Sequence, residues 1–335
     1  MDDNQPPSRK KILIIRFSSI GDIVLTTPVI RAIKNQVPGV EIHYLIKKNY
    51  ENILAENPHV SKLHIYKGNL KHTIKELKSE NFDFIVDLQN NRRSIRIDHK
   101  LNSPFKKINK LNFRKWIAVN FKINFLPVKH IVDRYFDVVS PLNVKNDGDG
   151  LEYYIPENEE FDAQDLPAVF EDGFIAVSLG SIHKTKRIPS YKLIEIGRIL
   201  HKPMMLLGGK DVMNKAEKVV SELGDRAFNG CGKYTLHQSA SILRKSDCVL
   251  TGDTGLMHIA AAFRKPTASI WGNTIPEFGM YPYMPKHREL FRIFEVCHLK
   301  CRPCSKLGYN KCPRKHFKCM KNISAVEVAD WINKF

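Results

Sequence analysis

The stretch Cys248 to Phe263, CVLTGDTGLMHIAAAF, decides how this chain is read. CVL is a short apolar strand, TGDTG a turn with two glycines, and LMHIAAAF the start of an amphipathic helix. A strand that ends in a small polar turn and feeds a helix makes a place for an anion. The first helical N–H groups have no intrahelical partner, and the helix dipole puts partial positive charge there. Gly252 and Gly255 let a ligand come close to backbone, Thr254 offers a hydroxyl, and Asp253 offers a carboxylate able to hold sugar hydroxyls. The same residues also suit an ordinary turn in which Asp253 or Thr254 caps the helix. The neighbouring loops have to decide between the two.

Around that stretch the chain alternates strand and helix. Gly173 to Leu179, Pro203 to Leu207 and Pro266 to Trp271 read as strands, and Pro189 to Leu200, Val212 to Leu223 and Thr235 to Arg244 as helices. The same alternation fills the first half. Lys11 to Phe17, Glu41 to Ile46, Lys62 to Tyr66 and Phe82 to Leu88 read as strands. A helix follows Asp22, with Val29, Ile33 and Val37 on one face, and others span Asn49 to Glu56, Asn69 to Glu80 and His130 to Ser140. Such alternation predicts parallel sheets covered by helices. Arg92 to Lys129 is a basic mixture of helix and loop with scattered aromatics, and Asn143 to Gly150 is a polar break. The expected organisation is a first Rossmann-like domain over 1–150, a linker over 151–172, and a second over 173–323. A terminal helix over 324–335 opens on a capping box of Ser324 and Glu327. The fold class is α/β, with two doubly wound domains facing each other across a cleft, where ligands are expected.

At 335 residues, with 43% hydrophobic and 26% charged side chains, a soluble globular protein with two cores is expected. The start, MDDNQPPSRKK, lacks a signal-peptide pattern and the apolar runs are too short to span a bilayer, so the expected compartment is the cytoplasm. The formal charge of +18 argues for an anionic partner. It is concentrated: Arg92 to Lys115 holds nine Lys or Arg and one acid, Asp98. No nucleic-acid module is present, which sets DNA or RNA binding aside as a remote alternative.

Four loops fall at strand carboxyl ends. FSSIGD, Phe17 to Asp22, suits a phosphate or hydroxyl ligand, with Asp22 either a general base or a helix cap. SLGSIHKTKRIP, Ser178 to Pro189, brings Ser181, Lys184, Lys186 and Arg187 after a strand, as a diphosphate would need. LLGGKD, Leu206 to Asp211, lacks the spacing of a P-loop, and no G-x-G-x-x-G follows the first strand of either half. The fourth is TGDTG itself. Asp147-Gly148-Asp149 spells D-x-D, but in a polar linker it reads as a turn.

RFSSIGDIVLTTP, FDFIVDLQNNRRS, SLGSIHKTKRIP and TGDTGLMHIAAAF with WGNTIPEFG occur in this order along nearly the whole chain. In these motifs the chain resembles the ADP-heptose:lipopolysaccharide heptosyltransferases of glycosyltransferase family 9. These are inverting enzymes of GT-B architecture, with two facing Rossmann-like domains. The resemblance implies ADP-heptose or a related nucleotide-sugar in the second domain and an anionic lipid A/Kdo-type acceptor on the first. It implies action as a cytoplasmic protein peripheral to the inner membrane, touching that surface transiently. By the same resemblance Asp22 corresponds to the catalytic base, and Lys186 to the lysine that holds the donor diphosphate. Asp253, Thr254 and Gly255 correspond to the D-T-G loop and His258 to the histidine one turn on. Asp211 aligns loosely with an acid contacting the nucleoside. Ser181 and Lys184 complete the donor side, and Ser19, Gln89, Arg92, Arg93 and Arg96 face the acceptor. With positive charge and a helix N-terminus aimed at the leaving diphosphate, no metal is required. A sister enzyme using another nucleotide-sugar is the main alternative.

Five of the seven cysteines, Cys297, Cys301, Cys304, Cys312 and Cys319, crowd into one segment. Their spacing matches no standard zinc ribbon. Reduced structural thiols, a structural zinc held by Cys301, Cys304, Cys312 and Cys319, and disulfides all stay open. Cys231 and Cys248 read as small core residues.

Overall fold

β-branched and other apolar residues in short runs set the strands of a computed structural model that describes residues 10–162 and 167–335. The first nine residues, and 163–166 of the expected linker, lie outside the described residues. The chain divides into two compact units.

The first unit contains β1 (Lys11–Ile15), α1 (Ile20–Val24), α2 (Thr27–Gln36), β2 (Glu41–Lys47), α3 (Asn52–Ala55) and β3 (Lys62–Tyr66). It continues with α4 (Leu70–Lys78), β4 (Phe84–Asp87), α5 (Arg92–Leu101) and β5 (Phe105–Lys107). After α6 (Asn112–Phe121) comes α7 (Ile131–Val139). The strands pair in parallel in the order β3-β2-β1-β4-β5. Leu13, Ile15, Leu45, Ile85 and Ile97 form a core between sheet and helix. The helix expected after Asp22 is α2, with Pro28 in its first turn as expected, but the turn before it forms the short helix α1. Pro28 has no N–H to give the Val24 carbonyl, and the Thr27 hydroxyl serves that carbonyl instead at 2.8 Å.

The second unit contains β6 (Ile175–Ser178), α8 (Ser190–Gly197), β7 (Met204–Leu207), α9 (Met213–Leu223), β8 (Ala227–Asn229) and α10 (Leu236–Lys245). β9 (Cys248–Gly252), α11 (Gly255–Ala262), β10 (Thr267–Trp271), β11 (Phe291–Glu295), α12 (Lys318–Lys321) and α13 (Ala325–Ile332) complete it. The order is β11-β10-β9-β6-β7-β8, again parallel. Leu250, Ile270, Leu206 and Val177 fill the core with Trp331 and Ile332 of the terminal helix, whose cap Ser324 accepts from the Glu327 N–H. Cys231 and Cys248 are buried, as expected.

The strands that sequence did not reveal are β5, β8 and β11. All three are edge strands. Edges bury one side at most, so FKK, AFN and FRIFE carry little of the apolar run that marks a central strand.

One stretch inside the expected first domain groups elsewhere. Leu111–His130 belongs with the second unit, along with Ile155–Phe335. The reason is local packing: Ala118, Val119 and Leu126 cluster with Ile275 and Phe278, and the His130 ring stacks on Tyr283. Residues 131–154 return to the first unit. There Asp147 takes two bonds of 2.8 Å from Arg31, so the D-x-D triplet is a turn closed by an ion pair.

Candidate active-site loops

In the first sheet, β2 lies on one side of β1 and β4 on the other. The loops after β1 and β4 therefore leave from the point where strand order reverses, which is where open parallel sheets bind ligands. Asp22 is in the first turn of α1, above the end of β1. Its Oδ1 lies 2.6 Å from Arg16, and its Oδ2 accepts from the Ser19 hydroxyl at 2.8 Å and the Ser19 N–H at 3.2 Å. Burial alone would raise this carboxyl; the Arg16 charge and the Ser19 bonds outweigh burial and hold it below its ordinary range. Asp22 thus both completes the capping box of α1, whose N-cap is Ser19, and is an ionised, partly exposed carboxylate. The two readings left open by sequence are compatible.

Arg16 also donates to the carbonyls of Ser18 and Leu88, at 2.9 Å and 2.6 Å. It ties the two switch-point loops together. Gln89 does the same, accepting from the Phe17 N–H at 2.9 Å. Beneath the second loop, Asp87 Oδ1 accepts from the backbone N–H groups of Gln89 and Asn90 at 2.8 Å and 2.7 Å. Asp98 of α5 faces Asp87 in the interior. Burial, then the Asp87 charge, pushes Asp98 up to about 8. The pair holds a proton at neutral pH.

α5 starts at the next residues. Asn91 caps it by accepting from the N–H groups of Arg93 and Ser94. Arg92, Arg93 and Arg96 are exposed on its first turns, with the Arg93 guanidinium 5.9 Å from the Tyr66 ring centroid. Ser19, Gln89 and the three arginines therefore gather round two adjacent loops of one sheet.

The second sheet repeats the logic. β6 lies between β7 and β9, so the loops after β6 and β9 leave from its switch point. Lys186 and Asp253 meet there, Nζ to Oδ2 at 2.6 Å. Thr274 donates to the same Asp253 oxygen at 3.3 Å. Thr254 caps α11, accepting from the Met257 N–H, and its hydroxyl also lies 3.2 Å from Ser178 and 3.1 Å from Thr251. Gly255 is the first residue of α11. Gly252 has to be glycine for contact reasons: a Cβ there would lie 2.5 Å from the Lys186 carbonyl oxygen.

The remaining residues expected on the donor side are spread around this centre. The Ser181 carbonyl accepts from Arg187 Nε at 2.7 Å, and Arg187 also pairs with the exposed Asp211. Lys184 is exposed in the same loop. His258 is buried inside α11, on the core side of the loop rather than at its surface. Residues missed by sequence are those that fasten the loop. The Thr185 hydroxyl donates to the Tyr309 carbonyl at 3.0 Å and accepts from the Tyr309 N–H at 2.8 Å. A Cβ on Gly308 would strike His183. The Cys-rich segment thus braces the lysine loop, and nothing in its spacing announced that.

Its thiols are all free. Cys304 is pushed up to about 11 by burial and then by Cys301, and Cys319 to about 12 by burial. Among the described residues the group with convergent metal-type ligands is elsewhere: His43, His64 and Glu80, within 4.8 Å of one another. His43 and His64 already share a 3.0 Å hydrogen bond, and Lys62 holds Glu80 at 2.5 Å with Lys11 at 3.5 Å. Two ammonium groups against the one carboxylate oppose a cation there, so this is a closed structural network. A cavity of about 770 Å³ in the second unit runs between Asn124–Lys129 and β11, and none of the expected donor residues lines it.

Residues 70–309 match the family model of glycosyltransferase family 9 (heptosyltransferase). The chain is 25% identical over 303 residues to lipopolysaccharide heptosyltransferase 1 of Campylobacter coli, covering 79% of this chain and 84% of that one. It shares its fold with the glycosyl transferase family 9 structure from Veillonella parvula DSM 2008, at a TM-score of 0.75, 19% identity, and coverage of 97% of this chain and 98% of that one. It is similarly close to the E. coli heptosyltransferase WaaC with ADP, at a TM-score of 0.69, 18% identity, and coverage of 97% and 99%. With the match spanning most of the sequence, this chain belongs to glycosyltransferase family 9, the heptosyltransferases, and is a glycosyltransferase.

Proposed function

We propose that this enzyme moves heptose from ADP-heptose to the Kdo/lipid A inner core of lipopolysaccharide, with inversion and without a catalytic metal. The observation that carries the reading is the Lys186–Asp253 pair at the N-terminus of α11. In the free enzyme each neutralises the other. A bound nucleoside diphosphate-sugar gives Lys186 a better anion and releases Asp253 to sugar hydroxyls. Thr254 and the first N–H groups of α11 take phosphate oxygens. Asp211, on the exposed turn after β7, serves the nucleoside, and Ser181 and Lys184 frame the diphosphate.

On the acceptor side Asp22 is the general base. As the acceptor oxygen attacks the anomeric carbon, its proton passes to the Asp22 carboxylate. The bond from that carbon to the β-phosphate oxygen breaks with its electron pair, and ADP leaves. Because Asp22 is held ionised by Arg16, it is always ready to accept, but it is a weak base. Proton transfer therefore runs with C–O cleavage and not before it. Ser19 and Gln89 hold the loop, and Arg92, Arg93 and Arg96 meet phosphates or acidic sugars of the acceptor.

Charge on the leaving diphosphate is met by Lys186 and a helix end, so the transfer draws nothing from a divalent ion. The thiols at 297–319 act as reduced structural groups of a segment that holds the lysine loop through Tyr309. The enzyme works as a cytoplasmic protein on the inner membrane. No helix of the described residues is long and apolar enough to cross a membrane.

Calorimetric titration with a panel of nucleotide-sugars tests the donor, and ADP release on adding Kdo-bearing lipid A tests the acceptor. ADP-heptose is expected to bind tightest. Tighter binding of a UDP- or GDP-sugar overturns the donor assignment. Transfer that survives exhaustive EDTA is expected; strict metal dependence sinks the mechanism. Metal analysis with and without thiol blocking separates reduced thiols from a structural zinc.

A further inference from the structure

Six of the fourteen exposed large hydrophobic side chains among the described residues fall within residues 113–128. Phe113, Trp116, Phe121 and Phe125 are 71%, 51%, 61% and 62% exposed, and Ile123 and Val128 join them. The aromatic rings are not scattered. Phe113 stacks on Trp116 and Phe121 meets Trp116 edge-on, with centroids 6.2 Å and 5.5 Å apart. These three rings make an apolar face on α6, and Ile123, Phe125 and Val128 are exposed on the chain that follows it.

The other side of the segment is fixed to the second unit. Ala118 is buried with Phe278, the Lys115 ammonium lies 5.4 Å from the Phe278 ring centroid, and Lys122 donates to the Pro303 carbonyl at 2.7 Å. Lys306 reaches Asn112 at 3.1 Å. The aromatic face is therefore held outward on a rigid support. The segment also carries no acid: residues 111–130 hold Arg114, Lys115, Lys122 and Lys129 and no Asp or Glu.

We infer that this face docks on an anionic phospholipid bilayer surface. Trp and Phe on one side of a short helix, with Lys and Arg alongside and no acid, is the composition that lies in the headgroup region. Each ring removes apolar area from water, and each cation adds about 1 kcal/mol near an anionic surface. The aromatic rings alone would suit a protein partner too; four Lys or Arg with no acid in residues 111–130 favour an anionic lipid surface. The inference rests on the proposed membrane setting but needs neither donor nor acceptor, so its vesicle test can fail while the proposed transfer reaction stands.

Trp116 supplies the readout, since Trp271 and Trp331 are 1% and 8% exposed. The purified enzyme is mixed with phosphatidylglycerol/phosphatidylethanolamine vesicles, and separately with phosphatidylcholine vesicles. The anionic vesicles are expected to sediment the protein and shift its Trp emission to the blue, with salt weakening both. Trp116→Phe keeps the binding and loses the shift. The variant carrying Trp116→Ser, Phe121→Ser and Phe125→Ser, all exposed positions, keeps its melting temperature and loses about tenfold or more in vesicle partitioning. Arg114→Glu lowers partitioning by about fivefold or more. Equal partitioning of the triple variant overturns the inference, and so does unshifted emission with anionic vesicles. Concentration-dependent self-association that vanishes in the triple variant, without vesicle binding, also overturns it and makes the face a contact between copies of the chain.

Discussion

Lys186 Nζ and Asp253 Oδ2 lie 2.6 Å apart although 67 residues separate them in sequence. They meet because β6 and β9 are adjacent and parallel, with Ser178 opposite Thr251, so both chains emerge at one end of the sheet. Both side chains are largely shielded, at 15% and 14% exposure, so removing either partner leaves the other charge poorly solvated.

Lys186→Ala is therefore expected to weaken ADP-heptose binding by about tenfold or more, the scale of a lost charge-assisted contact. It also leaves Asp253 without its cation. A double-mutant cycle with Asp253→Asn separates the two effects: once Asp253→Asn has removed the carboxylate, the Lys186 substitution should cost less stability. Additive melting shifts across the cycle would show that the pair is not coupled. An unchanged dissociation constant for the single variant would remove Lys186 from the donor site.

Asp22→Asn is expected to lower transfer by about a hundredfold or more, the usual worth of a positioned base. Donor affinity should persist. The stability effect has a defined sign. The folded carboxyl lies below its ordinary range, so its contribution is present above the unfolded value of about 3.9 and is lost as pH falls through the folded value. Parent and variant should therefore differ in melting temperature at neutral pH and converge in acid. Full activity in the variant would exclude the base assignment.

Asp98 gives the opposite pH trend. Its folded value is about 8, raised by burial and by Asp87. The folded protein holds a proton there that the unfolded chain releases near pH 3.9, so this contribution is full below about pH 4 and declines as pH rises through about 8. Asp98→Asn keeps a neutral donor against Asp87 at every pH. Relative to the parent it should gain stability from pH 4 to pH 8, by roughly 1.4 kcal/mol or more. Denaturant melts at the two pH values check this, and a constant difference between the proteins would show that Asp98 is not protonated in the fold.

Thr185→Val breaks both bonds to Tyr309 without touching the proposed ligand contacts. Loosening the lysine loop should raise KM for the donor by about tenfold, from roughly 1–2 kcal/mol of lost hydrogen bonding, and leave kcat near its parent value. Thr185→Ser, which keeps the hydroxyl, should restore KM. A fall in kcat alone, or no rescue by Ser, would mean that Thr185 acts otherwise.

The alternation of strand and helix, the loops at strand ends and the caps at Ser324 and Thr254 were legible in the residues, because burial period, glycine and capping side chains act over a few positions. The family motifs carried the proposed roles of Asp22 and Lys186 further than the residue types alone. Other features depended on distant neighbours. Pro28 was visible, but the split it forces between α1 and α2 follows from the Val24 carbonyl it leaves to the Thr27 hydroxyl. The edge strands β5, β8 and β11 exist because a neighbour supplies one ladder of hydrogen bonds. Leu111–His130 reads as an awkward basic run until Phe278 and Tyr283 give it a surface to pack on. Strand order, likewise, is not written in any local pattern. Only the folded sheets put β4 beside β1 and β9 beside β6, and so bring Arg16 to Leu88 and Lys186 to Asp253. Local sequence determines which loops can hold an anion; long-range strand pairing decides which of those loops share a site.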